Sequence, residues 1–300
     1  MKEAVRQTRS HLMKLFKQHG FNPRTDLGQN FLIDLNILEF VIKNAELNRK
    51  DVVLEVGAGT GGMTTFLALK AAEVVSFEID SNMYGFASHA VQGFDNVALI
   101  HSDALKSKNH LSPQLVDLVN ERLTDGRRLK LVANLPYSIA TPLVSNIVAT
   151  ELDWSRMVIT IQWELGQRMA ARPRRSNYGA LSVWLQSQCH VKILRKVPPT
   201  VFWPRPKVDS AIVRLIPAPE KRAKIRDRAF LLDFVRRLFH QRRKLLRGMI
   251  VGMYRKQLAK DDVDDVLAEV KIKEGARAEE LAVPVLVELA NKIHERIESK

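Results

Sequence analysis

Cysteine is almost missing: Cys189 stands alone in 300 residues. That excludes an internal disulfide framework and any metal cluster built on thiolates. The eight histidines fall at none of the short spacings that mark a metal site, so no metal is expected. No apolar run approaches the roughly 20 residues that a membrane-spanning helix needs. The N-terminal stretch MKEAVRQTRSHLMKLFKQHG lacks the hydrophobic segment of a signal peptide, and its basic, amphipathic character predicts a short docking helix. A reducing, cytoplasmic setting and no membrane partner are expected. Acidic residues are also scarce, 33 against 47 Lys and Arg, which leaves a net charge of +14.

The shortage of acid is local. Between Glu151 and Lys260 there are 25 Lys and Arg against 7 Asp and Glu, so the rest of the chain is slightly acidic. An excess this concentrated favours a nucleic acid as partner over an anionic membrane, because the basic stretches lack a long helix with a bulky apolar face.

Strand and helix patterns alternate through the first two thirds. DLNILEFVIKNAEL, with Asp34 as its N-cap, reads as a helix. DVVLEV, EVVSFEID, NVALIHSDAL, RLKLVANLPY and RMVITIQWE read as strands, and helices are expected at MTTFLALKAA, from Ser81 onward, and at TPLVSNIVAT. This is the pattern of a doubly wound α/β sheet, whose ligands lie beyond the carboxyl ends of the strands. Beyond IPAPE (216–220), read as a linker, the pattern is helical throughout FLLDFVRRLFHQRRKLLRGMI, DDVDDVLAEV and RAEELAVPVLVELANKIHERI.

The loop EVGAGTGGMT permits two readings. Gly57, Gly59 and Gly62 satisfy the G-x-G-x-x-G pattern of dinucleotide-binding folds, with Glu78 on the ribose hydroxyls. The same loop read from Glu55 suits a cofactor without a pyrophosphate, approached closely by bare backbone. Asp103, ending the third strand, favours the second reading. Three carboxylates around one crevice suit a cationic nucleoside such as S-adenosylmethionine better than a pair of phosphates.

NLPY (134–137) ends the fourth strand on an amide, a proline and an aromatic ring. Asn134 offers a carbonyl acceptor, and Leu135, held extended by the proline after it, turns a backbone carbonyl outward. Together they can take both hydrogens of an exocyclic amine while Tyr137 stacks on the base.

At these motifs the sequence resembles the KsgA-type ribosomal RNA adenine N6,N6-dimethyltransferases. The resemblance runs from LGQNFL to RAEEL and includes GQNFL (28–32), EVGAGTGGMT, EID (78–80), DAL (103–105), NLPYSIATPL, YGALSV (178–183), VPPTVFWPRPKVDSAIVRL (197–215) and LFHQRRKLLR (238–247). It implies a Rossmann-like S-adenosylmethionine-dependent methyltransferase sheet over residues 1–216, with its N-terminal docking segment, and a small all-α C-terminal domain over 220–300 that binds RNA or the ribosome. It also implies roles. Asn30 and Leu32 line the methionine side of the cofactor, Gly57 lies under it, Glu78 takes the ribose and Asp103 the adenine amine. Asn134 borders the cofactor and grips the target amine with Leu135, while Tyr137 and Phe202 face the flipped base from either side. The substrate implied is a pair of adjacent adenosines near the 3′ end of small-subunit rRNA, within an assembling 30S particle, and a monomeric enzyme is expected. Arg174 and Arg175 stand where the family usually has glycine after the proline, and Trp163 where it has lysine. The alternatives are a large-subunit rRNA adenine N6-methyltransferase of the antibiotic-resistance type, a methyltransferase fold kept as an RNA-binding assembly factor, and a dehydrogenase.

Overall fold

The basic N-terminal segment forms helix α1 (Arg9–Gln18), capped by the Thr8 hydroxyl on the His11 N–H, and buries Leu12 and Phe16. Strand β1 (Phe31–Leu32) precedes helix α2 (Leu35–Ala45), where the Asp34 carboxylate accepts the Ile37 N–H as the N-cap pattern requires. These coordinates are a computed structural model that describes residues 3–23, 29–242 and 244–300. Gly28, the first residue of the GQNFL motif, and Arg243 lie outside the described residues.

The run DVVLEV becomes strand β2 (Asp51–Val56), buried at every position as a central parallel strand must be. Helix α3 (Gly62–Lys70), strand β3 (Glu73–Glu78), helix α4 (Ser81–Val91) and strand β4 (Val97–His101) carry the chain outward in one direction. A small hairpin of β5 (Leu105–Ser107) and β6 (His110–Leu111) and helix α5 (Pro113–Asn120) return it. Strand β7 (Arg128–Asn134) then pairs on the other side of β2, followed by α6 (Ala140–Ala149), β8 (Trp154–Gln162) and α7 (Trp163–Met169). Helix α8 (Ala180–Gln186), strands β9 (Cys189–Val197), β10 (Phe202–Trp203) and β11 (Ser210–Pro217) complete this part.

The seven-stranded sheet has the order β4-β3-β2-β7-β8-β11-β9. Neighbours from β4 to β8 run parallel, and β11 is antiparallel to β8. The direction of winding reverses between β2 and β7. That reversal opens a crevice at their carboxyl ends, the usual ligand position of such sheets.

The chain divides into two units, Met1–Gly166 with Lys192–Ile216, and Gln167–Val191 with Pro217–Lys300. A first domain running unbroken to residue 216 is therefore corrected. The segment around α8 is part of the helical unit, where Tyr178 and Val183 are buried with Leu231, Phe234 and Leu286. The Tyr178 hydroxyl there donates to the Leu281 carbonyl at 2.9 Å.

IPAPE is not a free linker either: β11 runs to Pro217, and the short helix α9 (Pro219–Arg222) begins at once. The helical unit continues with α10 (Arg228–Leu238), α11 (Leu246–Tyr254), α12 (Lys260–Glu269) and α13 (Val283–Glu298). The expected unbroken helix over 230–250 is interrupted after Leu238. Arg242, in the interruption, donates to Glu279 at 2.7 Å and to the carbonyls of Arg175 and Ser176. No helix among the described residues is long and apolar enough to cross a membrane.

Candidate active site

A cleft of about 320 Å³ opens in the sheet unit at the carboxyl ends of β2, β3 and β7. Its floor is the glycine loop. Gly57, Gly59 and Gly61 have φ of 83°, 56° and 78°, a region that side-chain-bearing residues seldom adopt. A Cβ on Gly57 would stand 3.0 Å from the Pro136 ring, so the loop and the NLPY motif close on each other only because that residue is bare. Gly62, which completes the dinucleotide pattern, is small for a different reason. Its missing Cβ would lie 2.7 Å from the Gln7 side-chain oxygen.

One side of the cleft carries carboxylates. Glu55 is buried, and one of its oxygens accepts from the hydroxyls of Thr64 at 2.6 Å and Ser76 at 2.7 Å. Burial pushes its carboxyl up to about 7, despite those two bonds. Glu78, 7% exposed, accepts from three backbone N–H groups: Gly59 at 2.8 Å on Oε2, and Ile79 and Asp80 at 2.9 Å each on Oε1. Burial raises its carboxyl too, against the lowering effect of these bonds. Asp103 lies two residues beyond β4 and is exposed, with its Oδ1 on the Leu105 N–H.

The other side carries the amide and the ring. The Asn134 Nδ2 donates to the Asn30 carbonyl at 3.0 Å, which fixes the orientation of the amide. The Leu135 N–H donates to the Thr160 carbonyl at 3.0 Å, and the proline that follows keeps this backbone extended along the cleft. The Tyr137 hydroxyl shares a hydrogen bond of 2.8 Å with Ser210, and burial pushes the phenol up, so it stays protonated.

Asn30, Leu32, Gly57, Glu78, Asp103, Asn134, Leu135 and Tyr137 thus border one cleft. Phe202 does not. It pairs with Leu32 across the two-residue bridge of β1 and β10, and successive side chains of a strand point to opposite sides. Phe202 is turned inward, 1% exposed, among core residues that include Ile37, Val41 and Ile212. Its neighbour Trp203 goes the other way and stacks on Phe16 at 5.6 Å.

The cleft also contains residues that the motif reading did not assign. Ile79 is 63% exposed there, an apolar face beside Glu78 suited to a flat ring. Its unusual exposure is structural information, although its place beside Glu78 was visible in EID. Met83, Phe31 and Gln7 also line it. Nothing in the spacing of Gln7 distinguishes it from a surface residue.

The model of the family described as ribosomal RNA adenine dimethylase matches residues 20–293. The chain belongs to that family. It is 34% identical over 281 residues to the ribosomal RNA small subunit methyltransferase A of Geobacillus sp. (strain WCH70), covering 93% of this chain and 94% of the relative. It is 36% identical over 283 residues to the protein of the same name from Alkaliphilus metalliredigens (strain QYMF), covering 94% and 96%. Among solved structures, a dimethyladenosine transferase from Plasmodium falciparum superposes with a TM-score of 0.74 at 26% identity, over 88% of this chain and 97% of that one. The 23S rRNA methyltransferase ErmE superposes at 0.63 with 23% identity, over 88% and 100%, and shares the fold. This family member is accordingly an S-adenosylmethionine-dependent methyltransferase whose substrate is ribosomal RNA.

Proposed function

We propose that the protein dimethylates the N6 amines of two adjacent adenosines near the 3′ end of small-subunit rRNA, within an assembling 30S particle. It acts as a cytoplasmic monomer without a metal and contributes to small-subunit biogenesis. The names of the curated relatives support the small subunit. The observation that carries the chemistry is the anchored amide of Asn134.

The residues of the cleft fit the cofactor, since two buried carboxylates with no ion pair among the described residues line it beside a loop bare at Gly57 and Gly59. When bound, S-adenosylmethionine supplies an activated methyl group. Glu78 would hold the ribose hydroxyls, Asp103 the adenine amine, and Asn30 and Leu32 the methionine end. Because the Asn134 NH2 is engaged by Asn30, its Oδ1 is turned to accept from the target amine, and the Leu135 carbonyl accepts the second hydrogen. These bonds draw the nitrogen lone pair out of conjugation with the ring. Tyr137, neutral and tethered by Ser210, stacks on the base rather than acting as a base catalyst. Positioning does most of the work. The helical unit, with 24 Lys and Arg against 14 Asp and Glu, supplies positive charge for the RNA backbone.

The experiment is mass spectrometry of rRNA after incubating small-subunit particles that lack the modification with the protein and S-adenosylmethionine. The expected product is N6,N6-dimethyladenosine at two adjacent positions near the 3′ end. Modification confined to large-subunit rRNA would overturn the reading.

A further inference from the structure

The glycine loop is gripped from a segment that no motif marks. Gln7 lies two residues before α1, is 7% exposed and borders the cleft. Both ends of its amide are spent on one loop residue: Nε2 donates to the Thr60 carbonyl at 2.7 Å, and Oε1 accepts from the Thr60 hydroxyl. Two residues earlier, the Val5 N–H donates to the Thr65 hydroxyl of α3 at 3.1 Å. The segment is fastened at its far end as well. Leu12 and Phe16 are buried with Met83 and Phe86 of α4, and the Phe16 ring meets the Phe31 ring edge-on at 5.4 Å. Phe31 in turn stands 3.2 Å from where a Cβ on Gly59 would be. Thr60 therefore has Gln7 on its own polar groups, Phe31 against the glycine before it and Gln7 again over Gly62.

This matters for the cofactor because of what Gly59 does. Its N–H is the donor that holds Glu78 Oε2. We propose that Gln7 is a positioning residue of the cofactor site: by clamping Thr60 it sets the Gly59 N–H that orients the Glu78 carboxylate, and the stretch from Val5 to Phe16 is a strap across the glycine loop. The inference rests on the reading of Glu78 as the ribose ligand. A neutral amide suits the task. It satisfies a donor and an acceptor of the loop at once and adds no charge beside a carboxylate that burial already disfavours.

The test is steady-state kinetics and calorimetry on the full chain. Gln7→Ala should raise the KM for S-adenosylmethionine and the Kd for S-adenosylhomocysteine about tenfold, the loss expected for a bond pair worth roughly 1.4 kcal/mol. At saturating cofactor, kcat and the KM for small-subunit particles should stay within about twofold. Thr60→Val should weaken S-adenosylhomocysteine less than Gln7→Ala does, and should add little in the double variant, because the partner of the hydroxyl is already gone. A residue that only stabilises the fold would lower Tm and the active fraction, hence kcat, and leave KM unmoved; that result overturns the proposal. Hydrogen exchange on the unaltered protein covers the case of a variant that fails to fold. S-adenosylhomocysteine should slow exchange at residues 4–8 together with 57–62. Slowing at 57–62 alone overturns the strap and keeps the Glu78 reading, whereas slowing at neither overturns both.

Discussion

In the sheet unit the buried carboxylates Glu55 and Glu78 have hydroxyls and backbone N–H groups for partners, and no ion pair among the described residues includes either. In the helical unit, many of the cations that dominate its composition are matched by its own acids. Arg242 meets Glu279 at 2.7 Å, Arg247 meets Asp264 at 2.5 Å, Arg226 meets Glu298 at 2.7 Å, and Arg296 meets Glu269 at 3.1 Å. The contrast separates two kinds of charge that look alike in a sequence. A charge matched within the fold is spent on structure. A buried carboxylate with no cation beside it among the described residues, as at Glu78, keeps acceptor capacity that neutral hydroxyls of a ligand can use.

A buried pair away from the cleft sharpens this difference most strongly. The Lys130 ammonium donates to Asp51 at 2.9 Å and to the Glu46 carbonyl at 2.6 Å, with both side chains less than 10% exposed. Lys130→Met leaves the Asp51 charge buried without a cation and should cost about 3–5 kcal/mol in urea unfolding. Cofactor affinity of the fraction still folded should not change. Next in size is Asn134→Ala. It should lower kcat about 10²–10³-fold, the usual effect of removing one preorganised polar group from a transition state, with a smaller rise in cofactor Kd because its amide also anchors Asn30. Tyr137→Ala should instead raise the KM for RNA as well, through loss of a stacking surface worth about 1–3 kcal/mol per base.

Glu55 provides a pH signature. Its carboxyl moves from an ordinary 4.5 to about 7 on folding, so the folded state holds the proton more tightly than the unfolded chain. Its penalty is absent below pH 4.5, grows as pH rises, and is complete above 7. Stability from this group therefore falls over that window, by up to about 3 kcal/mol. Glu55→Gln should flatten the fall when unfolding is measured at pH 5 and pH 8. The smallest effects belong to the helical unit. Arg242→Ala should destabilise it by about 1 kcal/mol, because the bonds to Glu279, Arg175 and Ser176 are partly exposed. Lys244, which borders an open groove with Arg237 and His240, should behave differently. Lys244→Ala should leave Tm alone and reduce the salt slope of RNA binding by about 1.

Much of the cleft was legible because strand ends are legible. Gly57, Glu78 and Asn134 each follow a short apolar run at the point where a parallel sheet exposes its carboxyl edge, and Asp103 falls just past one. The inward facing of Phe202 was not legible, because a two-residue strand is too short to show a hydrophobic alternation in the sequence. The interruption between α10 and α11 left no local sign, since FLLDFVRRLFHQRRKLLRGMI keeps helical spacing and the bonds of Arg242 come from residues far along the chain. The placement of α8 depended on which neighbours would cover Val183, and that is decided by tertiary packing. Gln7 was invisible for the same reason. Its partner Thr60 is 53 residues away.

The proposal that Glu78 holds the ribose of the cofactor is tested most directly by calorimetric titration of S-adenosylhomocysteine into the unaltered protein and into Glu78→Ala. The unaltered protein should bind it and should not bind NAD. Glu78→Ala should weaken it by about 1–3 kcal/mol, through loss of the acceptor for the ribose hydroxyls, with the fold intact by circular dichroism. Equal affinity in the two proteins, or binding of NAD in place of S-adenosylhomocysteine, would contradict the account.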